Sequence, residues 1–358
     1  MSKYTVNLEW LRRVVEEVID PSQRIIDPHH HLWQKTTVDT PNVRRHRLYN
    51  YMLEEFWEDT SSGHNVTDSV YIECSEFFWN SKDEHFNPLG ETEYIKNLSQ
   101  ISCKNTEKTS ISGIIGHANL LLGKNANEIL DRHVEIGGNL FKGIRHAGSW
   151  DSNTDINNSH HNPPRDMYLI NEFLEGIKLL SAKELVFEAW QYHHQLPQVT
   201  NLARKNPDLI IVLNHFSGPL GVGPYATKKD EVYRNWKKDL KALARCENVF
   251  AKLGGLAMPI NGFNFEKNLS PPTSDDFMSL QRQFYLTTID FFGPQRCMFE
   301  SNFPVDKSSI SYQVLWNAYK KLVKDFSEAE KDHLFYKTAS DVYNICLLYT
   351  SPSPRDAT

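Results

Sequence analysis

Between residues 24 and 302, short apolar, β-branched runs alternate with longer stretches whose apolar residues recur at helical spacing. The strand-like runs are RIIDPHHH (24–31), DSVYIEC (68–74), SISGIIGHA (110–118), LFKGIRH (140–146), ELVFEAW (184–190), LIIVLNHF (209–216), NVFAKLGG (248–255) and RCMFESN (296–302). Helical patterns lie between them, including GETEYIKNLSQI, NANEILDRHVEI, DMYLINEFLEGIKLL, LPQVTNLARKN, DEVYRNWKKDLKALARC and the stretch from Asp275 to Phe292. Strand–helix alternation means parallel strands joined by crossovers. Runs as apolar as LIIVLNHF suit strands covered on both faces. Eight such units within 358 residues predict an α/β fold, a single-domain (β/α)8 TIM barrel over 24–345. SYQVLWNAYKKLVKDF reads as the closing helix, and FSEAEKDHLFYKTASDVYNI as a C-terminal helix packed on the outside. Ahead of the barrel, Leu8, Leu11, Val14, Val15 and Val18 predict a helical extension within 1–23. The last residues, 346–358, read CLLYTSPSPRDAT, which break the final helix with two prolines and offer a core nothing. They read as a non-native tail and are expected to be poorly packed.

The polar residues are as regular as the apolar ones. His29 and His31 close the first run, Glu73 the second, His117 the third, and Arg145 and His146 the fourth. Glu188 lies in the fifth with His193, His194 and Gln195 just beyond; His215 closes the sixth, Lys252 lies in the seventh and Asn302 closes the eighth. In a barrel the strand C-terminal ends share one mouth, and the loops after them build the site. The loops WDSNTDINNSHHNPPRD, GPLGVGPYATKKD and LAMPINGFNFEKNLSPPTSDD are long and polar, which suits recognition. Alternation along a strand puts His29 and His31 on one face, with Asp27 below them and His30 on the other face. Such H-x-H spacing suits a divalent ion. Plainer readings stand beside this one. Glu73 pairs with Arg145, Lys252 is an ion-pair partner, His193 and His194 satisfy backbone groups at a helix start, and the Asn and Asp residues of the WDSN loop are solvated turn residues.

Composition narrows the function. Hydrophobic residues make up 40% of the chain and aromatics 12%, enough for a substantial core. A net charge of −6 with interspersed signs, no basic stripe and no glycine-rich phosphate loop argue against nucleic acid or an anionic membrane as partner. Five scattered cysteines without C-x-x-C spacing exclude a zinc ribbon and suit a reducing compartment. No secretory signal and no span of ~20 apolar residues appears, so a cytoplasmic protein is expected.

The stretches IIDPHHHLW, FKGIRHAGSWD, VFEAWQYHHQLPQVTNLARKNPDLIIVLNHFSGP, VFAKLGGLAMP and RCMFESNFPVDK, in that order, resemble the amidohydrolase-2 branch of the amidohydrolase superfamily. Within it the chain is similar to the lactonase-like group of L-fuconolactonase and 2-pyrone-4,6-dicarboxylate lactonase type, from about Ile25 to Ile345. The resemblance implies a hydrolase that opens a cyclic ester of a small sugar- or aromatic-derived acid. It implies His29, His31 and His215 as catalytic groups, or as ligands of a single zinc completed by water; such enzymes are also held to work without metal. It implies Arg145 as a binder of substrate carboxylate or carbonyl, with Glu73, His146, His193, Gln195 and Lys252 around the substrate. Relatives commonly carry an aspartate as general base where this chain has Asn302, and an amide cannot accept a proton at neutral pH. Asp306, or else Glu300, is expected to take that role. The fourth strand ends in Arg145-His146 rather than the bridging lysine of two-metal relatives, so a binuclear centre is not expected. A zinc-dependent decarboxylase and a silenced barrel that binds a small acid are the alternatives. Oligomeric state is not written in the sequence, although such barrels often form homodimers.

Overall fold

Each of the eight strand-like runs forms a strand, and each pairs in parallel with the next, so the crossovers follow the order in which the chain presents them. The computed structural model describes residues 6–39 and 44–346. In chain order its elements are α1 (Leu8–Leu11), β1 (Arg24–His30), β2 (Thr36–Asp39), β3 (Arg44–Arg47), α2 (Leu53–Thr60), β4 (Asn65–Ile72), α3 (Leu89–Lys104) and β5 (Ser110–Gly116). They continue with α4 (Asn127–Gly137), β6 (Phe141–Arg145), α5 (Asn171–Ala182), β7 (Val186–Ala189), α6 (Leu196–Lys205), β8 (Ile211–Leu213) and α7 (Lys229–Leu243). The last are β9 (Val249–Leu253), α8 (Ser274–Phe292), β10 (Cys297–Phe299), α9 (Tyr312–Leu322), α10 (Glu328–Asp332) and α11 (Thr338–Val342). The sheet runs β1-β4-β5-β6-β7-β8-β9-β10, and its two edges meet where the His31 amide donates to the Phe303 carbonyl at 2.8 Å and the Asn302 amide to the His29 carbonyl at 3.0 Å. The fold is a (β/α)8 barrel.

The main apolar cluster joins strands to the helix layer through residues such as Phe56, Ile95, Phe173, Leu240, Tyr285 and Trp316. A second cluster gathers Ile26, Val70, Ile72, Ile115, Val186, Val212 and Met298 from the strands with Ala339, Val342, Tyr343 and Ile345. The C-terminal segment, expected on the outside of the barrel, meets α9 where Phe335 packs on Trp316, but its last residues join the strand cluster. They pack on strand residues, and the Tyr343 hydroxyl donates to the buried Glu188 carboxylate. The apolar side chains of this segment have a better partner in that strand cluster than in a surface already covered by helices.

Three further features differ from expectation. Among the described residues the N-terminal segment is helical over Leu8–Leu11; Glu16 instead receives the Ser274 amide and the Asn317 side chain, and Ile19 donates to Asn317, so tertiary contacts hold 16–19. β2 and β3 form an antiparallel hairpin beside the barrel that no strand signal announced. The pleat of β1 is interrupted between Asp27 and His30, where Pro28 can donate no ladder bond. Asp27 in consequence does not join the histidines. It accepts from the Ser301 amide and from the Tyr312 hydroxyl of α9, both at 3.0 Å. The expectation for the tail beyond Cys346 lies outside the described residues. No helix among the described residues is long and apolar enough to cross a membrane.

Candidate active site

After Pro28 the chain resumes alternation, and its three histidines separate as their positions dictate. His30 turns into the helix layer, stacked on Phe56 at 4.0 Å with its Nε2 at 3.1 Å from the Ser69 hydroxyl. His29 and His31 converge, with their Nε2 atoms 3.3 Å apart. His31 Nδ1 lies 2.8 Å from the Ile72 carbonyl, which fixes its proton there and leaves a lone pair on Nε2. His215 joins them from the end of β8. It opens a turn in which His215, Phe216, Ser217 and Gly218 all take left-handed φ, of 49°, 56°, 61° and 43°. Three non-glycine residues in that region store strain that surrounding packing must hold. Gly255 makes room for it: a Cβ there would sit 2.3 Å from His215 Nδ1.

Glu300, one residue past β10, reaches between the two rings. Its Oε1 is 2.7 Å from His215 Nδ1 and its Oε2 is 2.8 Å from His29 Nδ1. The second contact is close but poorly directed, and both of its atoms are buried without a hydrogen-bond partner. Burial, and then nearby cations, hold His29 and His215 well below the ordinary imidazole range; burial and Arg145 do the same to His31. The three rings are thus neutral near pH 7. Burial pushes the Glu300 carboxyl up to about 8, with Lys252 opposing.

Arg145, from the end of β6, ties this centre to Glu73. Its Nε donates to Glu73 Oε1 at 2.7 Å, its Nη2 to the Glu73 carbonyl, and its Nη1 lies 3.3 Å from His29 Nε2. Two histidines that sequence reasoning passed over complete the carboxylate's shell. His160 and His161, in the loop after β6, place their Nε2 atoms 3.2 Å and 3.1 Å from Glu73 Oε2. Burial alone would raise the Glu73 carboxyl, but Arg145 and these two imidazoles outweigh it and hold it well below the usual range. His117 stacks on His161 at 3.6 Å, and His146 meets His117 edge-on at 5.0 Å while its Nδ1 accepts from the Leu120 amide. The doublet in SHHNPP was the only signal for His160 and His161.

The other expected residues make their side-chain hydrogen bonds elsewhere, although the charge of Lys252 still acts on the paired rings. Gln195 accepts from the Trp150 and Tyr192 amides and donates to the Gly148 carbonyl, and His193 accepts from the Leu220 amide; both brace loops. Lys252 is fully buried and places Nζ 2.9 Å from both oxygens of Glu188. Asn302 donates to Asp306 Oδ1 at 2.8 Å, and Asp306 Oδ2 also accepts from the Ala257 amide. Burial pushes the Asp306 carboxyl well above its ordinary value, with the Asn302 and Ala257 donors opposing. Phe265, one of the aromatic residues of the long loops, belongs to the core.

Neutral imidazoles, a buried carboxyl group and a guanidinium gather at the strand ends of a parallel barrel, where (β/α)8 enzymes carry their active sites. The Amidohydrolase family profile (Amidohydro_2) matches residues 109–345, and the chain belongs to that family. It is 30% identical over 332 residues to the uncharacterized protein y4mH of Sinorhizobium fredii (strain NBRC 101917 / NGR234), covering 90% of this chain and 98% of that one. It is 24% identical over 261 residues to L-fucono-1,5-lactonase of Burkholderia multivorans (strain ATCC 17616 / 249), covering 73% and 77%. A crystal structure of a Burkholderia multivorans amidohydrolase with bound zinc superposes with a TM-score of 0.68 at 21% identity, covering 90% of this chain and 99% of that one.

The donors fit such an ion. For Zn–N bonds of about 2.05 Å at a tetrahedral angle, the two nitrogens lie about 3.3 Å apart, which is the His29–His31 Nε2 separation of 3.3 Å. His29, His215 and Glu300 also offer ligand atoms within 4.8 Å of one another.

Proposed function

We propose that the protein hydrolyses a cyclic ester of a small sugar- or aromatic-derived acid at the mouth of the barrel. The observation that carries this reading is the placement of Glu300 between His29 and His215 with Arg145 beside them. Asp306 accepts from Asn302 and from the Ala257 amide, whereas both Glu300 oxygens stand against the paired rings, so we give the role of base to Glu300. In its ionised form Glu300 takes a proton from a water held between the two imidazoles. The water oxygen bonds to the ring carbonyl carbon, and Arg145 Nη1 faces the oxyanion that develops. As the ring C–O bond breaks, Glu300 returns the proton to the leaving oxygen, giving the open hydroxy acid. A zinc ion, if held by His29, His31 and His215, would supply Lewis-acid polarisation of that carbonyl. A cytoplasmic setting suits the five free cysteines.

The test is acid release, followed by pH-stat, from sugar δ-lactones and from pyrone dicarboxylates. Wild type is expected to turn over one of these classes. Glu300→Gln is expected to lower kcat by about 10²–10⁴-fold, while Asp306→Asn leaves kcat within tenfold. No turnover of either class, with decarboxylation of a hydroxylated aromatic acid, would replace this reading with the decarboxylase one.

A further inference from the structure

We propose a second divalent-metal site, separate from the histidine centre, formed by Glu73, His160 and His161. Its ion would be a first-row transition metal such as zinc. The three donor atoms come from two distant parts of the chain, Glu73 just after β4 and the histidines within the long loop after β6. Glu73 Oε2 stands 3.2 Å from His160 Nε2 and 3.1 Å from His161 Nε2, and all three lie within 4.8 Å of one another.

Adjacent residues in a loop ordinarily present their side chains in different directions. Here the Asn162 amide closes a turn on the Ser159 carbonyl at 2.8 Å and Asn162 takes a φ of 46°, and both rings face one oxygen with centroids 4.0 Å apart. Metal–ligand bonds of about 2.0–2.2 Å at angles of 90–109° place donor pairs about 2.9–3.5 Å apart. The carboxylate–imidazole separations already lie in that range. Arg145 occupies the other carboxylate oxygen, Oε1, at 2.7 Å, so an ion on Oε2 leaves that bond in place. The guanidinium also sets a limit, since its charge opposes a second cation and makes this a weaker site than one beside a free carboxylate. Two imidazoles and one carboxylate leave further coordination positions open, and imidazole donors suit zinc, iron and copper-group ions. Glu73 is fully buried while the His160 side chain is 29% exposed, so an ion can enter from the solvent side.

On binding, each neutral imidazole takes the tautomer with its proton on Nδ1, and Nε2 becomes a ligand. The ion then clamps the loop after β6 to the end of β4, across the mouth that holds Arg145 and His29.

Cobalt(II) titration of metal-stripped full-length protein, followed by visible ligand-field absorption and by equilibrium dialysis, measures this directly. His160→Gln/His161→Gln keeps amide donors for Glu73, so the loop stays anchored, but it removes both imidazole ligands. The expected result is one cobalt per chain fewer in this variant than in wild type, together with loss of cobalt-dependent protection of 150–166 from proteolysis. Equal stoichiometry in the two proteins would overturn the proposal and leave the two histidines as hydrogen-bond anchors only. The count depends on the difference between the proteins, so it reads out whether or not the His29–His31–His215 centre binds metal. If the Gln variant loses native circular dichroism, His160→Gln alone is titrated. It is expected to bind the second cobalt at least tenfold more weakly, and unchanged affinity would overturn the proposal in the same way.

Discussion

At Asn302 the side chain and its surroundings act as a unit. The residue has a φ of 55°, donates its amide to Asp306 and stands where the family resemblance leads one to expect a base. Restoring that base would put a carboxylate beside the Asp306 carboxyl at the 2.8 Å now spanned by the amide. The pair would then hold either a buried charge or a shared proton. Asn302→Asp is therefore expected to destabilise the protein by about 1–3 kcal/mol, measured by urea unfolding, without raising lactone hydrolysis. A tenfold or larger gain in kcat would identify position 302 as a silenced base and remove that role from Glu300. The convergence of His29 and His31 was legible because alternate strand positions share a face. Asp27 was not, because Pro28 interrupts the pleat and sends it toward Tyr312. Glu300 appeared in the sequence only as a carboxylate near Asn302; its bridge between His29 and His215 depends on how β10 meets β1 and β8, which no local pattern states.

Among the elements, the eight strands were legible because each is short, apolar and covered on both faces, with helical periodicity on either side. The hairpin of β2 and β3 had no such signal, and the loop after β6 looked like solvated turn residues although it carries His160 and His161 into the site. That loop is held at its base by Gln195, whose side chain makes three bonds to backbone groups of Gly148, Trp150 and Tyr192. Each such bond contributes about 0.5–1.5 kcal/mol, and the buried Tyr192 amide and the partly buried Trp150 amide would lose their acceptor. Gln195→Ala is expected to lower stability by about 2–3 kcal/mol and to expose residues 148–166 to trypsin or chymotrypsin. It should raise KM more than it lowers kcat, because the residue positions the loop and does not touch the reacting atoms. An equal loss in kcat with unchanged KM would instead place Gln195 in the chemistry.

For the whole molecule, the barrel holds buried charge in pairs and lowers the basicity of its buried histidines. Lys252 and Glu188 are both fully buried, and Tyr343 and Asn214 complete the Glu188 carboxylate's bonds. Lys252→Met would strand that carboxylate and is expected to cost about 3–5 kcal/mol, seen as a fall in the urea midpoint. The buried histidines set the response to acid. His133 lies between α3 and β5, with Nδ1 2.9 Å from the Thr92 hydroxyl and Nε2 2.9 Å from the His117 carbonyl. Burial lowers its pKa from 6.5 to about 3. Between those values the unfolded chain binds a proton at this residue and the folded chain does not, so stability rises with pH across the window and falls as pH drops from 6.5 toward 3. One such group contributes a slope of up to about 1.4 kcal/mol per pH unit. His133→Gln keeps an amide within reach of both partners and cannot take the proton. Urea unfolding of wild type and His133→Gln at steps between pH 6 and pH 4 should show a shallower fall in the variant, by up to that amount per unit. Parallel curves would mean that His133 keeps its ordinary pKa in the folded state, with the Thr92 hydroxyl and the His117 carbonyl both accepting from the charged ring.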